Sequence, residues 1–138
     1  MKILIFGVPG SGKTHLAHKI SEALKIPIFH IDRHFFEKGW VERDHDHFLS
    51  DVRSALETSH WIIDGNGMRT LEMRYQEADI AIYCRLSRYL CLYRIFYRWI
   101  STLKIPKKDG PIGSTNSVSW KLIKYLWKFT TKYKDKID

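Results

Sequence analysis

Gly7-Val8-Pro9-Gly10-Ser11-Gly12-Lys13-Thr14 is the stretch on which the reading of this chain turns. It fits the pattern of a glycine, four variable residues, Gly-Lys and then Ser or Thr. Before it, Lys2-Ile3-Leu4-Ile5-Phe6 is short, apolar and rich in strand formers; after it, Lys13 to Leu24 carries apolar residues at helical spacing. Strand, glycine loop and helix, in that order, are the context the pattern needs. Glycines at 7, 10 and 12 adopt dihedrals that side chains resist, so successive N–H groups turn inward around an anion. The helix N-terminus adds its own N–H groups and dipole to the same place. The expected phosphate cradle is therefore Gly7, Pro9, Gly10, Ser11, Gly12, Lys13 and Thr14. Lys13 bridges the beta and gamma phosphates of a nucleotide, and Thr14 offers its hydroxyl to a magnesium ion. The competing explanation is a glycine turn that binds nothing. It leaves Lys13 and Thr14 unaccounted for.

Outward from that loop, strand and helix patterns alternate. Pro27 closes the connection after the first helix, and Ile28-Phe29-His30-Ile31 reads as a second strand with Asp32 at its end. Residues 44–58 carry Phe48, Leu49, Val52, Ala55 and Leu56 at the spacing of one buried helix face. Trp61-Ile62-Ile63-Asp64 is a third strand stopped by Gly65-Asn66-Gly67, residues 69–77 a short helix, and Ile80 to Cys84 a fourth strand. Such alternation gives a parallel sheet covered by helices on both faces. Ser87 can cap a helix over 88–100, whose apolar side chains surround much of its axis. The prolines and glycines of 105–116 read as loop, and Trp120 to Tyr133 as a basic amphipathic helix packing through Leu122, Ile123, Leu126, Trp127 and Phe129.

A chain of 138 residues is one domain, 1–138, with room for a packed core. Its hydrophobic content of 44% and charged content of 28% are those of an ordinary globular protein. The net charge of +8 is unevenly spread: residues 1–84 hold 10 basic and 12 acidic side chains, residues 85–138 hold 13 and 3. A half with net charge +10 calls for an anionic partner or a solvated face. Cys84 and Cys91 fall inside apolar segments without disulfide spacing, which fits a reducing, cytoplasmic setting. The apolar N-terminal run ends in the glycine loop and not in a cleavage site, so export is not expected. No run of 18 apolar residues is present, so no membrane span is expected.

Beyond the loop, the chemistry-bearing residues are carboxylates and arginines. Asp64 closes a strand, where a carboxylate reaches a magnesium ion or its water; a turn-forming Asp before Gly is the other reading. Asp32 is the candidate to orient or deprotonate a phosphoryl acceptor, against a helix cap or surface ion pair. Arg69, Arg74, Arg88, Arg94 and Arg98 are candidate partners for transferring phosphoryl oxygens, with solvated arginines as the alternative; Arg94 and Arg98 rank first because they interrupt an apolar helix beside a loop. All seven histidines lie in the first 60 residues, and His45-Asp46-His47 lacks further ligands at zinc spacing. Phe35, Phe36 and Trp40 form a candidate aromatic wall for an acceptor, or part of the core. Lys121, Lys124, Lys128 and Lys132 form either a nucleic-acid face or a solvated helix.

Together these residues resemble the small P-loop kinases of the adenylate kinase and shikimate kinase type, and most closely the kinase-like family of DNA topology modulation proteins. The marks are Gly7 to Thr14, His30-Ile31-Asp32 followed by Phe35 and Gly39-Trp40, Trp61 to Asn66 with Arg69-Thr70, and Arg88 with Leu90-Cys91-Leu92. The resemblance implies a three-layer αβα P-loop NTPase fold with a parallel sheet, its strands ordered 2-3-1-4 when counted along the chain. It implies ATP as donor and Mg2+ as cofactor, Asp64 at the Walker B position, Asp32 on the acceptor side, Arg69 contacting acceptor or phosphate, and Arg94 and Arg98 flanking a lid at 101–117. Related chains place an acidic residue and a proline where this one has Arg85 and Ser87. They also continue into a fifth strand, an adenine-contacting loop and a last helix, which are expected to be absent here. An unprotected strand edge favours a homodimer.

The leading expectation is an ATP-dependent kinase with a nucleotide or other small hydroxyl-bearing acceptor. The alternatives are a nucleotide hydrolase and a nucleic-acid-associated ATP-binding protein. No NKxD stretch is present to specify guanine.

Overall fold

The computed structural model describes residues 1–37, 41–101 and 120–137. Its centre is β1 (Lys2–Gly7), where Ile3 and Ile5 point to one side and Leu4 and Phe6 to the other. Both sides are buried, as expected of a central strand in a parallel sheet. Helix α1 (Lys13–Leu24) then returns across one face and ends at Lys25, whose N–H caps Ser21 O at 2.8 Å. The chain continues through β2 (Ile28–His30), α2 (Ile31–Phe35), β3 (Phe36–Glu37), β4 (Val41–Glu42), α3 (His45–Glu57), β5 (Trp61–Asp64), α4 (Leu71–Glu77), β6 (Ile80–Cys84), α5 (Arg88–Ser101) and α6 (Trp120–Ile137).

Four strands form the main sheet in the order β2-β5-β1-β6, all parallel. Counted within that sheet, this is the 2-3-1-4 order expected from the sequence. Strands β3 and β4 pair separately as a small antiparallel sheet that the sequence did not announce. Edge strand β6 leaves Ile80 and Ala81 exposed.

Three apolar clusters hold the layers together. Leu4, Phe6, Trp61 and Ile63 pack against Phe48, Val52 and Leu56 of α3 and Leu71 of α4. On the opposite face Ile3, Ile5 and Ile62 pack against Ala17 of α1. The third cluster joins Cys91 and Ile95 of α5, Leu126 and Phe129 of α6, and Val8 of the glycine loop. Full burial of a side chain of this size contributes about 1.5–3 kcal/mol.

Two expectations need correction. The second strand stops at His30, because its neighbour β5 ends level with it at Asp64; Ile31 and Asp32 open a helix instead. Helix α5 buries only Cys91 and Ile95 fully, and Tyr89, Tyr93, Tyr97 and Ile100 are exposed. Trp127 is not core either, being 43% exposed beneath the Arg88 guanidinium, 5.6 Å from its ring centre. Among the described residues no helix is long and apolar enough to cross a membrane.

Candidate functional site

The glycine loop is tied to the two strands that flank β1. Val8 N–H donates to Cys84 O at the end of β6 (3.0 Å), and Gly7 N–H donates to Asn66 Oδ1 just beyond β5 (2.9 Å). Within the loop, Ser11 N–H donates to Val8 O at 3.1 Å. Gly7 (φ +145°) and Gly10 (φ +80°) lie in the region that side chains avoid. They are also sterically fixed: a Cβ on Gly7 would stand 2.1 Å from Cys84 O, and one on Gly10 2.9 Å from Cys91 O.

Asp64 stands beside the start of α1. Parallel pairing sets it level with Ile5 on one side and His30 on the other. Thr14 Oγ1 donates to Asp64 Oδ2 at 2.7 Å, and His30 Nδ1 lies 3.1 Å from the same oxygen. Burial by itself would raise the Asp64 carboxyl. Hydrogen bonds from His30 and Thr14 and the charge of Lys13 outweigh it and hold the group below the usual carboxylate value. An ionised carboxylate only accepts, so His30 carries its proton on Nδ1.

Two buried oxygens, Asp64 Oδ1 and Ser11 Oγ, have no hydrogen-bond partner among the described residues. An unpartnered carboxylate oxygen next to a threonine hydroxyl suits a hard cation that keeps water and phosphate among its ligands. The residues present therefore fit Mg2+, with Thr14 and Asp64 as the protein side of the site. Lys13 Nζ donates to Val8 O across the loop at 3.2 Å, so its ammonium group is at the cradle.

The arginines separate clearly. Arg94 on α5 comes over the loop, its Nη1 only 3.7 Å from where a Cβ on Gly12 would sit. Arg94 is itself exposed, as are Arg98, one turn further along α5, and Arg69, in the loop after β5. Arg74 is fully buried under the segment 65–70, and burial pushes its guanidinium down to about 10 while Asp32 and Asp64 pull the other way. Asp32 is half-buried in the first turn of α2, within electrostatic reach of Arg74. The structure thus brings together the loop, Lys13, Thr14, Asp64 and Arg94, and adds Arg74 as a link toward Asp32.

Burial pushes the thiols of Cys84 and Cys91 up, which makes both poor nucleophiles. The candidate wall of Phe35, Phe36 and Trp40, together with Gly39 and the lid at 101–117 beyond Ser101, lies outside the described side chains and residues.

Two residues with a place in this site, His30 and Asn66, had no role derived from the sequence, and Arg74 was expected on phosphoryl oxygens and not on the backbone carbonyls it holds. His30 could have been found by aligning the strand ends, since the second and third strands finish at His30 and Asp64. Asn66 reads as a turn residue, and nothing in its position announces a bond to Gly7. Arg74 is one of five candidate arginines, and no sequence signal marks it as the fully buried one.

A family model described as ATPase family associated with various cellular activities (AAA) matches residues 3–63. That span runs from β1 through the glycine loop to β5. No curated protein matches the chain in sequence. Among solved structures, a shikimate kinase from Aquifex aeolicus is similar at 15% identity and a TM-score of 0.56, over 99% of this chain and 83% of that one. A deoxyadenosine kinase from M. mycoides is similar at 19% identity and a TM-score of 0.51, over 99% and 85%. A gluconokinase from Sinorhizobium meliloti 1021 is similar at 13% identity and a TM-score of 0.53, over 99% and 94%. Likeness at such identities establishes the fold, which is that of the P-loop kinases.

Proposed function

We propose that the chain, 1–138, is an ATP-dependent phosphotransferase acting on a small hydroxyl-bearing acceptor or a nucleotide, of the kind found among the DNA topology modulation proteins. The observation that carries this reading is the 2.7 Å bond between Thr14 Oγ1 and Asp64 Oδ2 at the mouth of the glycine loop, with Asp64 Oδ1 buried and unpartnered among the described residues. Loop amides and Lys13 hold the donor phosphates. Thr14 and Asp64 would hold Mg2+, which would neutralise charge on the donor phosphates.

The acceptor oxygen forms a bond to the gamma phosphorus as the bond from that phosphorus to the bridging oxygen breaks, and ADP leaves with the bridging oxygen. Asp32 takes the acceptor's proton. Arg94 stabilises the negative charge on the transferring group, joined by Arg69 and Arg98 when acceptor and nucleotide are bound. The kinase titles among the structural relatives motivate the acceptor classes to try first: nucleosides and their monophosphates, and polyhydroxy acids.

The test compares wild type with Lys13→Ala for Mg-nucleotide binding by calorimetry and for ADP release with and without each acceptor. Loss of one phosphate donor is expected to lower turnover by about 10²- to 10³-fold while the urea midpoint stays put. Equal binding and turnover in a folded Lys13→Ala protein would reject the reading. ADP release that ignores every acceptor would instead make the chain a nucleotide hydrolase.

A further inference from the structure

We propose that Arg74 is a positioning residue that sets the start of the phosphate loop through Asn66. The proposal rests on the nucleotide-binding reading above and extends it to a residue outside the loop.

The Arg74 side chain is 0% exposed and spends its donors on one short segment. Its Nε donates to Thr70 O (3.3 Å), Nη1 to Gly65 O (3.0 Å), and Nη2 to both Asn66 O (2.5 Å) and Gly67 O (2.9 Å). Four carbonyls between 65 and 70 thus converge on a single guanidinium. The segment also rests on Ile31: a Cβ on Gly65 would be 2.9 Å from Ile31 Cβ, and one on Gly67 would be 2.8 Å from Ile31 Cγ2. Its backbone is held by a buried cation and a buried aliphatic group.

Asn66 sits in the middle of that clamp and turns its side chain the other way, accepting from Gly7 N–H at 2.9 Å. Gly7 cannot yield, because Cys84 O occupies the space on its other side. The chain of contact therefore runs from guanidinium to carbonyl to side-chain amide to the first residue of the phosphate loop. No element of it depends on a surface side chain.

A lysine at 74 keeps the positive charge near Asp32 and Asp64 but has donors on one nitrogen only, so it cannot span the four carbonyls. Arg74→Lys separates charge from geometry. If Arg74 acts through Asn66, the two residues must be non-additive in nucleotide affinity, whereas an arginine that merely supports the fold would add its effect to any other.

The experiment is a double-mutant cycle of wild type, Arg74→Lys, Asn66→Ala and the double variant, with MgADP affinity by calorimetry and urea midpoints for each. Each single change is expected to weaken MgADP binding roughly 5- to 20-fold, and the double variant by no more than about twofold beyond the weaker single. Affinity losses that multiply in the double variant would overturn the proposal. If Arg74→Lys does not fold, Asn66→Ala decides alone: weakened binding at an unchanged urea midpoint supports the link, and unchanged affinity overturns it. Failure of wild type to bind MgADP would reject the nucleotide reading itself, and this proposal with it. Tight binding by wild type and by folded variants alike overturns only the role of Arg74.

Discussion

Asp64 is 5% exposed and still ionised, because three neighbours compensate its burial. His30 and Thr14 donate to it, and Lys13 lies within electrostatic reach. The arrangement has a consequence for stability against pH. A carboxyl whose folded pKa lies below its unfolded value of 3.8 stabilises the fold at higher pH, and that contribution is lost as pH falls through the folded value. Asp64→Asn cannot titrate. Urea midpoints of the two proteins measured from about pH 6 down to about pH 2 should therefore show wild type ahead at the upper end, with the gap closing below about pH 4. A gap of constant size over the whole range would contradict the assignment of a depressed pKa.

The glycine loop shows how far sequence reading reaches at the level of an element. Its strand, loop and helix were legible because each carries a local signal: β-formers from 2 to 6, glycines and the Lys-Thr pair, then helical spacing. Asp64 was legible for the same reason, as a strand end followed by Gly65. The roles of His30, Asn66 and Arg74 were not, because all three act across elements 34, 59 and 8 or 9 residues apart in sequence. Such contacts leave no periodic trace. Trp127 in α6 was misjudged for a related reason: apolar spacing says which residues could be buried, and packing decides which are. Within the loop, contact geometry ranks the glycines. Gly12→Ala meets only the tip of Arg94 at 3.7 Å and should cost about 1–2 kcal/mol, the penalty of a left-handed backbone. Gly7→Ala drives a methyl into Cys84 O and should cost a further 1–3 kcal/mol or so of overpacking. Urea unfolding of the two variants reads the difference directly; equal losses would mean that the contact with β6 is easily relieved.

Across the whole molecule, the two sheet faces and the α5–α6 pair form separate apolar clusters, and only the third includes a residue of the phosphate loop. Val8 is 1% exposed there, against Cys91, Ile95, Leu126 and Phe129. Helix α6 thereby reaches the candidate site through apolar side chains. Phe48 in α3 is as deeply buried as Phe129, but it packs in the cluster that holds no loop residue. Removing either ring should cost about 3–5 kcal/mol, so stability alone does not distinguish the two. Nucleotide affinity does. Phe129→Ala frees Val8 to shift and should weaken MgADP binding several-fold under conditions where the variant remains folded, by the effect that cavities have on neighbouring packing. Phe48→Ala, equally destabilised, should bind MgADP like wild type. Calorimetry on both variants well below their unfolding temperatures separates the cases. Equal affinities would mean that the α5–α6 pair stabilises the fold and leaves the loop to its bonds with Cys84 and Asn66.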